Sequence, residues 1–180
     1  MHGAHGQQGL PQDPIADQLK FREPQRRDGA ALHRLIAACP PLDLNSIYAY
    51  LLLCLHHSQT SVVAEIDGQI VGTVTAYIPP QQPDTLFIWQ VAVAPQQRGK
   101  KIGQRMLQHL VEHCIKTRQL RWMETTISPS NAASIRLFNQ VSLQQNAGIS
   151  ITTLFAAKDF GESGHEEEQL YKIGPWNRPT

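Results

Sequence analysis

The chain has 180 residues, 41% of them hydrophobic and 17% charged, with a formal net charge of +1. That is one domain's worth of sequence with enough apolar surface for a core, and its near-neutral balance excludes the broad positive field with which proteins gather nucleic acid or anionic membrane. The longest strongly apolar run, YAYLLLCL at 48–55, is far shorter than the roughly 20 residues of a membrane span, and no charged-then-apolar leader opens the chain. A cytoplasmic protein with neither a nucleic-acid nor a membrane partner is expected.

The lead-in, residues 1–17, mixes Gly, Gln, Pro and His without periodicity and is expected to be flexible. A short strand near LKFRE is followed by Asp28 as a helix cap, with Leu32, Leu35 and Ile36 at helical spacing and Pro40-Pro41 as the stop. A second helix starts near Asn45 or Ser46 and is expected to turn Tyr48, Leu51, Leu52 and Leu55 inward. SVVAEIDGQIVGTVTAYI reads as two strands about an Asp67-Gly68 turn. DTLFIWQVAVAP reads as a longer strand ended by Pro95, and a helix over 101–117 follows. LRWMETTI gives a strand, SNAASIRLFNQV a capped helix, AGISITTLFAA a strand, and QLYKIGP a last strand expected at a sheet edge. The order β-α-α-β-β-β-α-β-α-β-β describes an α/β fold with helices on the faces of a sheet.

Cys39, Cys54 and Cys114 are odd in number and form no C-x-x-C pair, so small buried apolar residues are expected rather than disulfides or a thiolate zinc site. HLVEH at 109–113 satisfies H-x-x-E-H, a metalloprotease pattern. Its histidines fall at the border of the helix's apolar face and Glu112 turns away, so no metal is expected.

The chemistry concentrates in QVAVAPQQRGKKIGQRML, residues 90–107. A glycine-bearing turn between a strand and a helix exposes backbone N–H groups at the positive end of the helix dipole, an arrangement suited to a phosphate. Gly99 and Gly103 allow close approach, while Arg98, Lys100 and Lys101 add full charges. Neither a Walker loop nor the G-x-G-x-x-G fingerprint is present. The run R-G-K-K-I-G after V-A-V-A-P resembles the acyl-coenzyme A loop of the GNAT superfamily of N-acetyltransferases. Arg98 and Gly103 fit that pattern, whereas Lys101 stands where it has a middle glycine. PLDLNSIYAYLLLC, PDTLFIWQVAVAP, SPSNAASIRLF and GHEEEQLYKIGP together resemble, in order, the L-2,4-diaminobutyrate N-acetyltransferases, the ectoine-pathway branch of that superfamily. The likeness spans roughly residues 18–176.

The resemblance implies a GNAT domain over 18–180, with a mixed central sheet flanked by helices and parallel strands, 86–94 and 120–127, that splay to admit a thioester. It implies acetyl transfer from acetyl-CoA to the γ-amine of L-2,4-diaminobutyrate, on the route to the compatible solute ectoine used in osmotic stress, by a homodimer without metal. The attacking alkyl amine, with a pKa near about 10, must lose a proton. Glu124, a carboxylate in an apolar strand, is the expected general base, acting directly or through water; the bland alternative is a structural partner for an Arg or Lys. Asp43 is a candidate for an ammonium or a helix cap. Tyr48 and Trp89 offer rigid walls over which cations sit well. These three and His165 match motif positions that line the family's substrate pocket, and Phe155 is a candidate to close it. The N–H of Val91 or Val93 would serve as oxyanion donor if the strand bulges, a device common in the superfamily. Asn131 matches the position that bonds the pantetheine arm, or is simply an N-cap. Phe138 stands where many members carry a tyrosine that protonates the thiolate. Two readings compete: acetylation of another small amine, such as a polyamine or diamino acid, and a non-catalytic acetyl-CoA-binding module.

Overall fold

The computed structural model describes residues 18–162 and 164–176. The lead-in expected over residues 1–17 lies outside the described residues. The elements follow the expected order: β1 (Lys20–Arg22), α1 (Gly29–Ala37), α2 (Ile47–His56), β2 (Val62–Ile66), β3 (Gln69–Tyr77), β4 (Thr85–Val93), α3 (Ile102–Arg118), β5 (Trp122–Ile127), α4 (Ala132–Gln144), β6 (Ile149–Phe155) and β7 (Glu168–Ile173). Asp67 and Gly68 adopt φ of 51° and 74°, the two positive values a tight hairpin turn demands, and they join β2 to β3.

The strands form one sheet of seven in the order β1-β2-β3-β4-β5-β7-β6. Among the described residues only β4 and β5 run parallel; every other neighbouring pair is antiparallel. Parallel pairing runs from Thr85↔Trp122 to Ile88↔Thr125 and then stops, although β4 continues to Val93 and β5 to Ile127. The two strands therefore part beyond Ile88, as expected for the splayed pair. β5 finds its other neighbour in β7.

A β-bulge in β4 decides which side chains meet which helices. Thr75 pairs with Gln90 while the adjacent Ala76 pairs with Ile88, leaving Trp89 as the extra residue. Side chains alternate along a strand, so one inserted residue reverses the phase of everything after it. Accordingly Leu86 and Ile88 belong to the core beneath α3 and α4, with Met106, Leu107, Leu110, Val111, Phe138 and Val141. Ala92 and Ala94, of the parity that would have continued into that core, lie instead with Leu32, Leu35, Ile36, Tyr50 and Cys54 of α1 and α2. Val91 and Val93 pack at the margin of the α3–α4 core. On α3 the apolar stripe is the expected one, and fully buried Leu107 holds the helix to the sheet; truncating it to Ala should cost about 2–5 kcal/mol.

Three local expectations need correction. α2 buries Tyr50, Leu53 and Cys54, whereas Tyr48, Leu52 and Leu55 are exposed. The helix is apolar on two faces, and the face that packs is the one reaching α1 and the alanines of β4. Second, β7 is not an edge strand: it lies between β5 and β6, and β6 forms the edge. β7 buries Tyr171 and Ile173, while β6 is exposed along most of its length. Third, Asp28 precedes α1 but makes no side-chain cap to it. Its carboxylate accepts from the Gln25 N–H at 2.6 Å and from Arg22, which also pairs with Glu65 at 2.5 Å. Burial pushes the Asp28 carboxyl up, but these hydrogen bonds outweigh it and hold the group below the usual range.

The three cysteines are buried and free, as expected. Burial pushes the thiols of Cys54 and Cys114 up to about 11, so neither is a ready thiolate. His109 and His113 lie on the exposed side of α3, where the His109 ring packs on Phe21 at 5.3 Å. Among the described residues no helix is long and apolar enough to cross a membrane.

Candidate active site

The turn from β4 into α3 is built from backbone. Gly99 has φ +80°, and Lys101, just before the helix, adopts φ 57°, ψ 17°. Lys101 thus takes the left-handed conformation that the acyl-coenzyme A loop assigns to glycine, at a cost of about 1 kcal/mol or more for a residue with a Cβ. Helical bonding begins only at the Arg105 N–H, which donates to the Lys101 carbonyl at 3.0 Å. From Gly99 to Gln104 no amide N–H meets an acceptor among the described residues. The atoms nearest to a Cβ on Gly103 would be those of Val93, Val91 and Leu137, at 3.6–3.8 Å, an ordinary contact distance. The chain's own packing does not require glycine there; close approach by a ligand would.

Charge points the same way. Helices favour acids in the first turn, because these offset the dipole. Here the first turn has none, and no carboxylate occurs between Asp84 and Glu112. Arg98 and Lys101 are exposed, and Lys100 donates to Gln97 at 2.7 Å. Cations gathered at the positive end of a helix repel it and one another until an anion joins them. A diphosphate meets both demands, supplying acceptors for the amides and countercharge for the side chains.

Next to this turn lies the opening between β4 and β5. The Gln90 N–H donates to Thr75 Oγ1 at 3.1 Å and the Ala94 N–H to the Val71 carbonyl at 2.8 Å, both toward β3. By alternation the N–H groups of Val91 and Val93 face the opposite edge, from which β5 has departed. At the far side of the opening Asn131 caps α4, its Oδ1 accepting from the Ser134 N–H at 3.1 Å. Its amide nitrogen is left for another acceptor. Phe138 is buried in the core, with no polar atom to offer a thiolate.

Glu124 of β5 is only 5% exposed, and its carboxylate accepts from Lys172 Nζ at 2.8 Å. The two face each other across the β5–β7 pair, and the Lys172 ammonium also lies 4.8 Å from the centre of the Trp122 ring. The lysine partner was the bland alternative for Glu124, and it is present. It leaves the second carboxylate oxygen uncommitted.

The expected substrate contacts come from separate elements. Asp43 is exposed, in the loop before α2; Ser46, not Asp43, caps that helix by accepting from the Ala49 N–H. Tyr48, on the first turn of α2, is 68% exposed, and Trp89, at the bulge, 41%. His165 stacks on Phe160 at 4.2 Å, its Nδ1 is 2.7 Å from the Glu166 carbonyl, and its Nε2 is 3.9 Å from Glu168. The chain is tied down just after it: Glu166 accepts from the Ser130 N–H and Glu168 from Ser128 Oγ. Hydrogen bonds from Ser130 hold the Glu166 carboxyl below the usual range. Phe155 ends β6, half-exposed, opposite Glu168 and 6.1 Å from Phe160.

Sequence reasoning missed Gln90 and Tyr50. Both are buried, the Tyr50 hydroxyl donates to Gln90 Oε1 at 3.2 Å, and Gln90 Nε2 donates to the Asp43 carbonyl at 2.7 Å. The available signal was a lone amide in the apolar run FIWQVAV. Lys172 was missed because pairing between β5 and β7 cannot be read from local sequence.

Residues 29–142 match the model of the Acetyltransferase (GNAT) family. The chain is 48% identical over 160 residues to the L-2,4-diaminobutyric acid acetyltransferase of Bordetella parapertussis, covering 88% of this chain and 86% of that one. It is 44% identical over 155 residues to the enzyme of the same name from Virgibacillus pantothenticus, covering 86% and 97%. Its structure resembles that of the diaminobutyrate acetyltransferase EctA of Paenibacillus lautus in complex with L-2,4-diaminobutyric acid and coenzyme A. The TM-score is 0.83 at 39% identity, over 90% of this chain and 98% of that one. With the parted strands and the cationic turn already in place, these likenesses establish that the chain belongs to the GNAT acetyltransferases, in the branch of the L-2,4-diaminobutyric acid acetyltransferases.

Proposed function

We propose that the protein transfers the acetyl group of acetyl-CoA to the γ-amine of L-2,4-diaminobutyrate, releasing CoA and N-γ-acetyl-L-2,4-diaminobutyrate for ectoine biosynthesis in the cytoplasm. The observation that carries this reading is the run of unengaged amides from Gly99 to Gln104 beside a parted strand pair, in a chain with the sequence of the diaminobutyrate branch. These amides, with Arg98, Lys100 and Lys101, hold the diphosphate. The Asn131 amide nitrogen bonds the pantetheine arm, and the thioester enters the opening beside the Val91 and Val93 N–H groups.

Asp43 takes the substrate's second ammonium, Tyr48 and Trp89 wall the chain of the diamine, His165 contacts its carboxylate end and Phe155 closes over it. Glu124 accepts a proton from the γ-ammonium, directly or through water. The freed nitrogen attacks the thioester carbon, and the oxyanion is held by the β4 amides. The C–N bond forms in the resulting tetrahedral adduct, the C–S bond breaks as the adduct collapses, and the second proton on the nitrogen passes to the departing thiolate or to water. The thiolate, whose thiol pKa is near about 8.5, leaves without a side-chain acid, in keeping with Phe138. Lys172 supports this role by orienting the Glu124 carboxylate through its 2.8 Å hydrogen bond.

A homodimer is part of the proposal. Leu52 and Leu55 are exposed on α2 and Leu44 in the loop before it, and Ile151 and Leu154 are exposed on the edge strand β6. Sedimentation should give twice the chain mass; a monomer at micromolar concentration would refute it.

The activity is tested by incubating the protein with acetyl-CoA and a panel of amines, following thiol release and locating the acetyl group by NMR. Release with 2,4-diaminobutyrate, at the γ nitrogen, is expected, with little from lysine or spermidine. Preference for another amine would overturn the substrate, and no release with any amine would overturn the enzymatic reading.

A further inference from the structure

Gln90 is held at three points. Its N–H donates to Thr75 Oγ1 at 3.1 Å, its Nε2 to the Asp43 carbonyl at 2.7 Å, and its Oε1 accepts from the Tyr50 hydroxyl at 3.2 Å. The Tyr50 hydroxyl in turn accepts from the Asn45 N–H at 3.4 Å. Gln90 is 5% exposed and Tyr50 fully buried, so these bonds are poorly replaced by water if broken.

The bulge explains why an amide occupies this position. With regular alternation, residue 90 would share the face of Leu86 and Ile88 and enter the apolar core under α3 and α4, where a carboxamide has no partner. The extra residue at Trp89 turns Gln90 to the α1–α2 face, toward Tyr50 and the loop of residues 38–46. The same irregularity precedes Val91, whose N–H faces the opening between β4 and β5. One side chain thus ties the strand that carries the proposed oxyanion donor to the loop that carries the proposed ammonium ligand, and it does so through the backbone carbonyl of Asp43 itself.

We propose that Gln90 is a positioning residue that sets the distance between Asp43 and the Val91 amide, and so fixes which of the substrate's two amines reaches the thioester. Diaminobutyrate carries amines on its second and fourth carbons, and a pocket discriminates between them by where it anchors the rest of the molecule. Loosening the Asp43 loop relative to β4 lets the α-amine reach the acetyl carbon in a fraction of turnovers. This rests on the substrate and site assignment proposed above.

The test uses the full-length protein with Gln90→Met, which keeps volume and loses both side-chain bonds, and Gln90→Glu, which can accept from Tyr50 but cannot donate to Asp43. Tyr50→Phe, which spares the bond to Asp43, is the third variant. Thermal melts check folding, and product NMR gives the ratio of γ- to α-acetyl isomers. Both Gln90 variants should raise KM for diaminobutyrate about tenfold, the size of one lost buried hydrogen bond, while KM for acetyl-CoA stays within about twofold. The α isomer should rise from a trace to a measurable share. Tyr50→Phe should move the same quantities less, and it decides the matter if the Gln90 variants do not fold. An unchanged isomer ratio in folded variants, or equal rises in both Michaelis constants, would overturn the proposal while leaving the function intact. If the wild type makes no γ-acetyl product, the functional reading fails instead.

Discussion

The proposed coenzyme turn and the proposed acceptor pocket would hold charged ligands by opposite means. The turn occupies a few consecutive residues, and its working atoms are main-chain amides from Gly99 to Gln104 that the helix leaves unbonded. Its side chains supply only countercharge. The proposed acceptor pocket draws single side chains from the loop before α2, from α2, β4, β5 and β6, and from the loop before β7, and each must sit at a particular distance. A backbone site tolerates a change of residue as long as the dihedrals survive, as Lys101 demonstrates by standing at φ 57° in a glycine's place. A side-chain site has no such latitude. Substitutions in the pocket should therefore be costly and specific, and those in the turn graded and mild.

The severest loss should follow Glu124→Gln, which keeps shape and removes the proton acceptor. Turnover should fall about 100-fold or more, with KM for acetyl-CoA unchanged. Steady-state kinetics with both substrates varied measure this, and matching losses in the two quantities would show the residue to be structural. Asp43→Asn comes next: KM for diaminobutyrate should rise about 10- to 100-fold as a charge-assisted bond is lost, again without effect on the coenzyme. An unaltered diaminobutyrate KM would remove Asp43 from the pocket.

In the turn, Arg98→Ala should raise KM for acetyl-CoA about tenfold and leave turnover nearly intact, since the amides remain. A turnover defect without a change in KM would contradict the division between the two regions. Lys101→Gly should hardly matter to catalysis, moving KM for acetyl-CoA by less than about threefold. It relieves left-handed strain, and after the extra unfolded-chain entropy of glycine is subtracted about 0.5–1 kcal/mol of stability remains, near 2–3 °C in Tm. A large rise in KM there would mean that the lysine charge, not the amide, holds the coenzyme.

The same contrast explains what could be read from the amino acids alone. The turn is local, so Gly99, Gly103 and the basic run announce it, and the order of strands and helices follows from periodicity and from punctuation such as Asp67-Gly68 and Pro95. The proposed pocket residues could be named only through likeness to a family, because His165 and Asp43 carry no signal of their own. Pairings made by topology stayed hidden: Lys172 meets Glu124 because β7 inserts between β5 and β6, an order that nothing in QLYKI specifies. The inward face of α2 was misjudged because the helix is apolar on two faces. Gln90 was overlooked because its importance comes from the bulge at Trp89, one residue that reverses the strand's phase.

Most direct of all is a calorimetric titration of the protein with acetyl-CoA and, separately, with S-acetyl-pantetheine, which carries the thioester and arm but no diphosphate. If main-chain amides and cations at the head of α3 grip the diphosphate, acetyl-CoA binds with measurable heat and the truncated thioester about 100-fold more weakly or not at all. Equal affinities, or no heat from acetyl-CoA with folded protein, would contradict that claim.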